Sequence, residues 1–228
     1  MSEAKREVRR LLESPDFFSA LAWVPDRLAA LPAKAVSRSL LAALCAPDPL
    51  RRHRAAELLG LVVAETAGRD MEAGREIMRR LLWSLNEESG TMGWGAPEAL
   101  AEIMARRQGL ACEFAHLLVC LATPGLNPLD NPDLLAGVIW GLGRLASAQP
   151  EVAAGLALAP ALLPWLGAPA ARLRGLAAWA LGQACPGQWR AHLEELLEDH
   201  SELELYQNGL MNPVSVSALA RTALSPKP

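Results

Sequence analysis

A short pattern returns along this chain about every forty residues. It consists of a small or apolar residue, then Glu or Trp, then any residue, then Leu, then Gly or Ala. It reads Ala56-Glu57-Leu58-Leu59-Gly60, Pro97-Glu98-Ala99-Leu100-Ala101, Ile139-Trp140-Gly141-Leu142-Gly143 and Ala178-Trp179-Ala180-Leu181-Gly182. Weaker echoes are Ala20-Leu21-Ala22 and Ala218-Leu219-Ala220. The closing residues stand at 22, 60, 101, 143, 182 and 220, in steps of 38, 41, 42, 39 and 38. A period near forty is that of stacked helical hairpins, in which no hairpin can bury its apolar stripe alone. Composition agrees: 41 Ala and 42 Leu stand against 17 Val, Ile and Thr together, which favours helix and excludes a β-sandwich or barrel.

The fifth repeat shows the hairpin most clearly. Leu162-Leu163-Pro164-Trp165-Leu166 ends a first helix, Gly167 stops it, and Ala168-Pro169 opens the next. Arg172, Leu173, Leu176, Ala177, Ala180 and Leu181 then recur at helical spacing. This stretch, through Leu176-Ala177-Ala178-Trp179-Ala180-Leu181-Gly182, resembles HEAT repeats, and more narrowly the bacterial phycobilisome-lyase-like type. The second unit, Pro47-Asp48-Pro49-Leu50-Arg51-Arg52 followed by Arg54-Ala55-Ala56-Glu57-Leu58-Leu59-Gly60, is similar to the turn and second helix of that type. The resemblance implies an all-α, right-handed α-solenoid of about six HEAT-like hairpins, with second helices lining a concave face. The expected organisation is one domain, 1–228. First helices are expected near 3–13, 33–45, 70–85, 110–122, 151–166 and 188–199, and second helices near 15–29, 49–66, 94–106, 132–147, 169–184 and 213–223.

Three hairpin turns are short and three are expanded: 86–95, 123–131 and 200–212. Insertions in a solenoid map to loops on one face, often the one that binds. The third turn, Asn86-Glu87-Glu88-Ser89-Gly90-Thr91-Met92-Gly93-Trp94-Gly95, is the most distinctive string in the chain. Pro97 follows it, so the next helix either starts late near Gly95 or starts near Thr91 and kinks at Pro97. The candidate site combines loops 86–95 and 123–131 with the adjoining ends of second helices three and four. Met92 and Trp94 are its apolar anchors, Glu87, Glu88 and Asp130 its charges, and Thr91, Glu98, Asn131 and Trp140 its remaining contacts. A structural alternative makes the same loop a capped turn with Trp94 filling a gap between repeats.

Chemistry motifs are missing. His53, His116, His192 and His200 form no H-E-x-x-H pair, there is no G-x-S-x-G elbow, and Cys45, Cys112, Cys120 and Cys185 are dispersed as reduced thiols would be. No catalytic residue, metal ligand or cofactor is therefore expected. The acidic run Glu194, Glu195, Glu198, Asp199, Glu202 and Glu204 alternates with leucines and reads as the outer face of an amphipathic helix. Residues 152–171 are uncharged over a span's length, but Pro160, Pro164 and Pro169 interrupt them. The charged N-terminus is no secretory signal, so the expected location is the cytoplasm. A net charge of −3 disfavours nucleic acid. The expected activity is non-enzymatic binding of a protein or peptide, with a homodimer left open. The alternatives are a HEAT-like DNA glycosylase, in which Trp140 and Trp179 would stack on a nucleotide near Arg144, Arg172 and Arg174, and a bilin lyase subunit.

Overall fold

A computed structural model describes residues 2–86, 93–184 and 188–225. In chain order the helices are α1 (Glu3–Leu12), α2 (Phe17–Ala20), α3 (Val24–Ala29), α4 (Ala33–Leu44), α5 (Pro49–Arg69), α6 (Met71–Leu85), α7 (Ala96–Arg106) and α8 (Gln108–Cys120), then α9 (Pro132–Ala148), α10 (Pro150–Ala154), α11 (Leu158–Leu162), a 3-10 turn (Leu163–Gly167), α12 (Ala171–Ala184) and α13 (Arg190–Glu194). Two strands, β1 (Glu202–Gln207) and β2 (Leu210–Ser215), precede α14 (Val216–Leu224). The described chain divides into two compact units. The first holds Met1–Leu110 and Tyr206–Leu210, the second Ala111–Leu205 and Met211–Pro228.

Local chemistry sets the helix starts. The side chains of Ser2, Asp48, Asp70, Asn131 and Ser215 each accept a hydrogen bond from a backbone N–H in the first turn that follows, and Pro49 and Pro132 sit where a missing N–H costs nothing. Gly95, at φ 72°, caps α7 with Pro97 in its first turn. The helix therefore starts late, and Pro97 does not kink it.

In the first unit α4 packs on α5, and α5 packs on α6 and α7; in the second, α9 and α14 both pack on α12. The closing glycine of the repeat is where these helices come closest. A Cβ on Gly60 would lie 2.8 Å from the Glu102 carbonyl oxygen, one on Gly143 2.4 Å from the Trp179 ring, and one on Gly182 2.7 Å from the Ala223 Cβ. The recurring small residue is thus a steric requirement of stacking. Burial follows: every residue from His53 to Gly60, from Ala96 to Ala105 and from Leu134 to Gly143 is buried. Over those stretches the second helices show no open face.

Four expectations need correction. The 15–29 helix is broken into α2 and α3 between Ala20 and Val24. The 151–166 helix is α10, α11 and a 3-10 turn, because Gly155 and the proline ring at Pro164 interrupt the ladder. The 188–199 helix shrinks to Arg190–Glu194, so the acidic run is no single helix face. The sixth turn is a β-hairpin, whose two-residue loop Asn208-Gly209 has φ values of 51° and 78° at both central positions, as a type I′ turn requires. The alternation Glu202-Leu203-Glu204-Leu205 buries Leu203 and Leu205. Leu203 lies against Gly175, so those leucines serve a strand. No helix among the described residues is long and apolar enough to cross a membrane.

Candidate functional site

Of the residues expected to bind, Glu87, Glu88, Thr91 and Met92 lie outside the described residues. Trp94 is half-buried in the first unit, with the Arg52 guanidinium 5.6 Å from its ring centroid. Arg52 also donates to the carbonyls of Ala46 and Pro47 at 3.0 and 3.1 Å, so Trp94 covers the short turn before α5. Glu98 is buried, which takes it away from a surface that a partner could touch. In the second unit Asp130 is exposed, and Leu126, in the turn between α8 and α9, is 64% exposed. Asn131 is the cap of α9, its Oδ1 accepting from the N–H groups of Asp133 and Leu134. Trp140 is buried and stacks on Trp179, ring centroids 6.3 Å apart and planes 14° from parallel. Both aromatics that the glycosylase alternative would place on a nucleotide are therefore inside the protein.

The Glu position of the repeat carries a polar cluster in the first unit. Tyr206, on the strand leading to the hairpin tip, donates its hydroxyl to Glu57 Oε2 at 2.7 Å. Arg106 donates to Glu57 Oε1 at 3.2 Å and also bonds the Glu102 carboxylate. The His53 ring stacks on Tyr206 at 4.6 Å. Arg54 donates to the Gly209 carbonyl at 3.0 Å and to those of Leu12 and Ser14 at 2.8 and 2.9 Å, and its guanidinium lies 4.7 Å over the Phe17 ring. Burial first, and the Glu57 carboxylate second, push the Tyr206 hydroxyl well above its ordinary value, so it stays protonated as a donor. Glu57, Glu98, Glu102, His53 and Tyr206 are all buried. This cluster fastens the hairpin tip to α5 and offers solvent no general acid or base.

An open feature lies elsewhere on the first unit. A groove of about 500 Å³ runs between α4 and α6. Leu41 and Ile77, both half-buried, and exposed Ala33 line it together with the exposed cations Lys34, Arg38 and Arg80. None of the three cations makes an ion pair or hydrogen bond among the described residues, and no acid lines the groove. A smaller, mainly apolar pocket of about 120 Å³, lined by Val24, Leu28 and Leu31 and by the mutually paired Glu65 and Arg69, adjoins it through the shared residues Ala33 and Thr66. The expected site did not include these residues. The signal was present: α4 carries two cations one turn apart, and no acid occurs between Asp26 and Asp48. Among the described residues no three His, Cys, Asp or Glu side chains converge to hold a metal.

No family model matches the chain. An uncharacterised protein of Archaeoglobus fulgidus is 42% identical over 108 residues, which are 47% of this chain and 52% of that protein, so the match spans about half of each. An engineered protein solved by the Northeast Structural Genomics Consortium superposes with a TM-score of 0.54 at 18% identity, covering 98% of this chain and 96% of that one. A designed armadillo repeat protein superposes with a TM-score of 0.51 at 18% identity, covering 97% and 98%. The fold is mostly helical, that of an α-solenoid of the armadillo and HEAT kind.

Proposed function

We propose that this chain is a non-enzymatic scaffold that binds a protein or peptide, and that its binding surface is the α4–α6 groove of the first unit. The observation that carries this reading is the groove itself: an apolar floor with three cations that no acid among the described residues pairs with. Such a surface combines the burial that drives association with charges that select a partner. It replaces the second-helix positions Glu98 and Trp140, which are buried. Trp94 and Asp130 stay secondary contacts in this reading. The repeat type we favour is the phycobilisome-lyase-like HEAT of bacteria, on the Leu162–Gly182 string. The exposed free thiols of Cys45 and Cys112 suit the reducing cytoplasm.

Selection of random peptides by display on the immobilised chain tests the proposal. Enriched peptides should lose binding when Lys34, Arg38 and Arg80 are all changed to Glu. Failure to enrich any peptide over a folded control protein overturns the scaffold reading. Enrichment of peptides indifferent to the triple change moves the site off this groove.

A further inference from the structure

The occupant of the groove can be named more closely, resting on the scaffold reading above. We propose that the α4–α6 groove docks an acidic amphipathic helix of a partner protein.

Charge is the first reason. Elsewhere on these helices the exposed cations are matched: Glu72 binds Arg79 at 2.5 Å and Arg75 at 3.3 Å, and Glu65 binds Arg69 at 2.7 Å. Arg80 follows Arg79 in sequence and has no such partner among the described residues, and neither have Lys34 and Arg38. The nearest acid, Glu65, lines the adjoining pocket and is paired with Arg69, and no acid lines the groove itself. Carboxylates from outside are the complement.

Shape is the second reason. Lys34 and Arg38 are four residues apart on α4, one helical turn, so their stems leave the helix about 6 Å apart along its axis. Carboxylates at i and i+4 of a docked helix repeat that spacing. Arg80 stands on the opposite wall, contributed by α6, and meets an acid on the other flank of the same helix. Between the flanks, Leu41, Ile77 and Ala33 floor the groove, and the adjoining apolar pocket takes one large anchor side chain. An apolar stripe flanked by acids, laid into a groove between two helices, is the helix-in-groove mode of recognition. Duplex nucleic acid would meet a floor of leucine and isoleucine with only three cations, on a chain of net charge −3.

The probe is a fluorescein-labelled peptide of about 16 residues built from Leu, Ala and Glu, with leucines at i, i+3, i+4 and i+7 and glutamates on both flanks. Fluorescence anisotropy should show saturable binding that weakens with salt. A peptide of the same composition, scrambled to destroy the stripe, should bind about tenfold more weakly, as should the K34E/R38E/R80E variant, whose circular dichroism should match the parent. A peptide with lysine in place of glutamate should recover binding to that variant. Equal binding of the scrambled peptide, or of the parent peptide to the variant, overturns the proposal. So does tighter binding of duplex DNA or of phosphatidylglycerol vesicles than of the peptide. Groove-dependent ligands from the display selection that lack acids on an apolar stripe defeat this proposal while leaving the scaffold reading standing.

Discussion

The two units use one repeat position in opposite ways. The second position of the repeated pattern is glutamate in the second and third repeats and tryptophan in the fourth and fifth. Where α5 meets α7, Glu57 is satisfied by Arg106 and Tyr206. Where α9 meets α12, Trp140 and Trp179 stack on each other. Both interfaces are brought close by the closing glycine, Gly60 in one and Gly143 in the other. Backbone geometry is thus conserved between the repeats while the chemistry filling it is not. The polar filling is specific but conditional on every partner being present, whereas the aromatic filling rests on the packing of two rings.

The largest effect should come from breaking the polar side. Arg106→Met leaves Glu57 and Glu102 buried without their shared cation, and removal of one member of a buried ion pair costs about 3–5 kcal/mol. Urea unfolding should register that loss, and a loss below about 1 kcal/mol would mean the cluster contributes little. Next are the glycines. Gly60→Ala drives a methyl into the backbone of Glu102, and Gly143→Ala drives one into the Trp179 ring and the Ala180 backbone. Overpacking of this kind costs about 1–3 kcal/mol. Gly60→Ala should cost more, since a carbonyl in a helix cannot turn aside as a ring can tilt. The reverse order would show that the aromatic side is the less tolerant one.

What the sequence disclosed follows from the same division. The stacking positions were legible because glycine and alanine at 60, 101, 143 and 182 answer to a steric rule that repeats with the backbone. The polar cluster was not, because Tyr206 reaches Glu57 across 149 residues, and no local period encodes that. The hairpin that carries Tyr206 was legible in principle: Asn208-Gly209 follows an alternating Glu-Leu-Glu-Leu run, but in a helical chain those leucines read as one more helix stripe. Of the expected site, Asn131 proved to be a helix cap and Trp140 a core residue, two roles with the same sequence signature as binding. The groove was half legible: Lys34 and Arg38 stand one turn apart in a stretch without acids, but that Arg80 of α6 lines the same groove is a property of three dimensions.

Protonation should sharpen the contrast. The Tyr206 hydroxyl is held neutral in the fold, its pKa raised by burial and by Glu57, so its contribution is complete below the ordinary tyrosine value near pH 10 and is lost as pH rises above it. Tyr206→Phe should cost about 1–3 kcal/mol at neutral pH, by leaving the buried Glu57 without this donor, and should flatten the alkaline loss. In the second unit Asp199 moves the other way. The hydrogen bond from Arg174 at 2.7 Å, with those from Ser201, lowers its pKa to about 2. Its contribution is present above the ordinary value of 3.8 and fades as pH falls toward 2. Hydrogen exchange should therefore report α5 and α7 loosening first in alkali, and α12 first in acid.

The smallest expected change is the most discriminating. The Trp179 Nε1 is buried and has no hydrogen-bond partner among the described residues. In the polar interface the aromatic hydroxyl of Tyr206 is satisfied by Glu57. Replacing Trp179 by benzothienylalanine keeps the ring, the stack on Trp140 and the contact with Gly143, and removes only the N–H. A buried donor left unsatisfied costs about 1–3 kcal/mol, so this replacement should raise stability by about 1 kcal/mol, opposite in sign to Tyr206→Phe. Opposite signs for two deletions of one polar atom would show that the polar interface is held by its hydrogen bonds and the aromatic one in spite of its own. A loss of stability on the benzothienyl replacement would mean that the indole N–H is satisfied in solution, and the two interfaces would then differ less than their residues suggest.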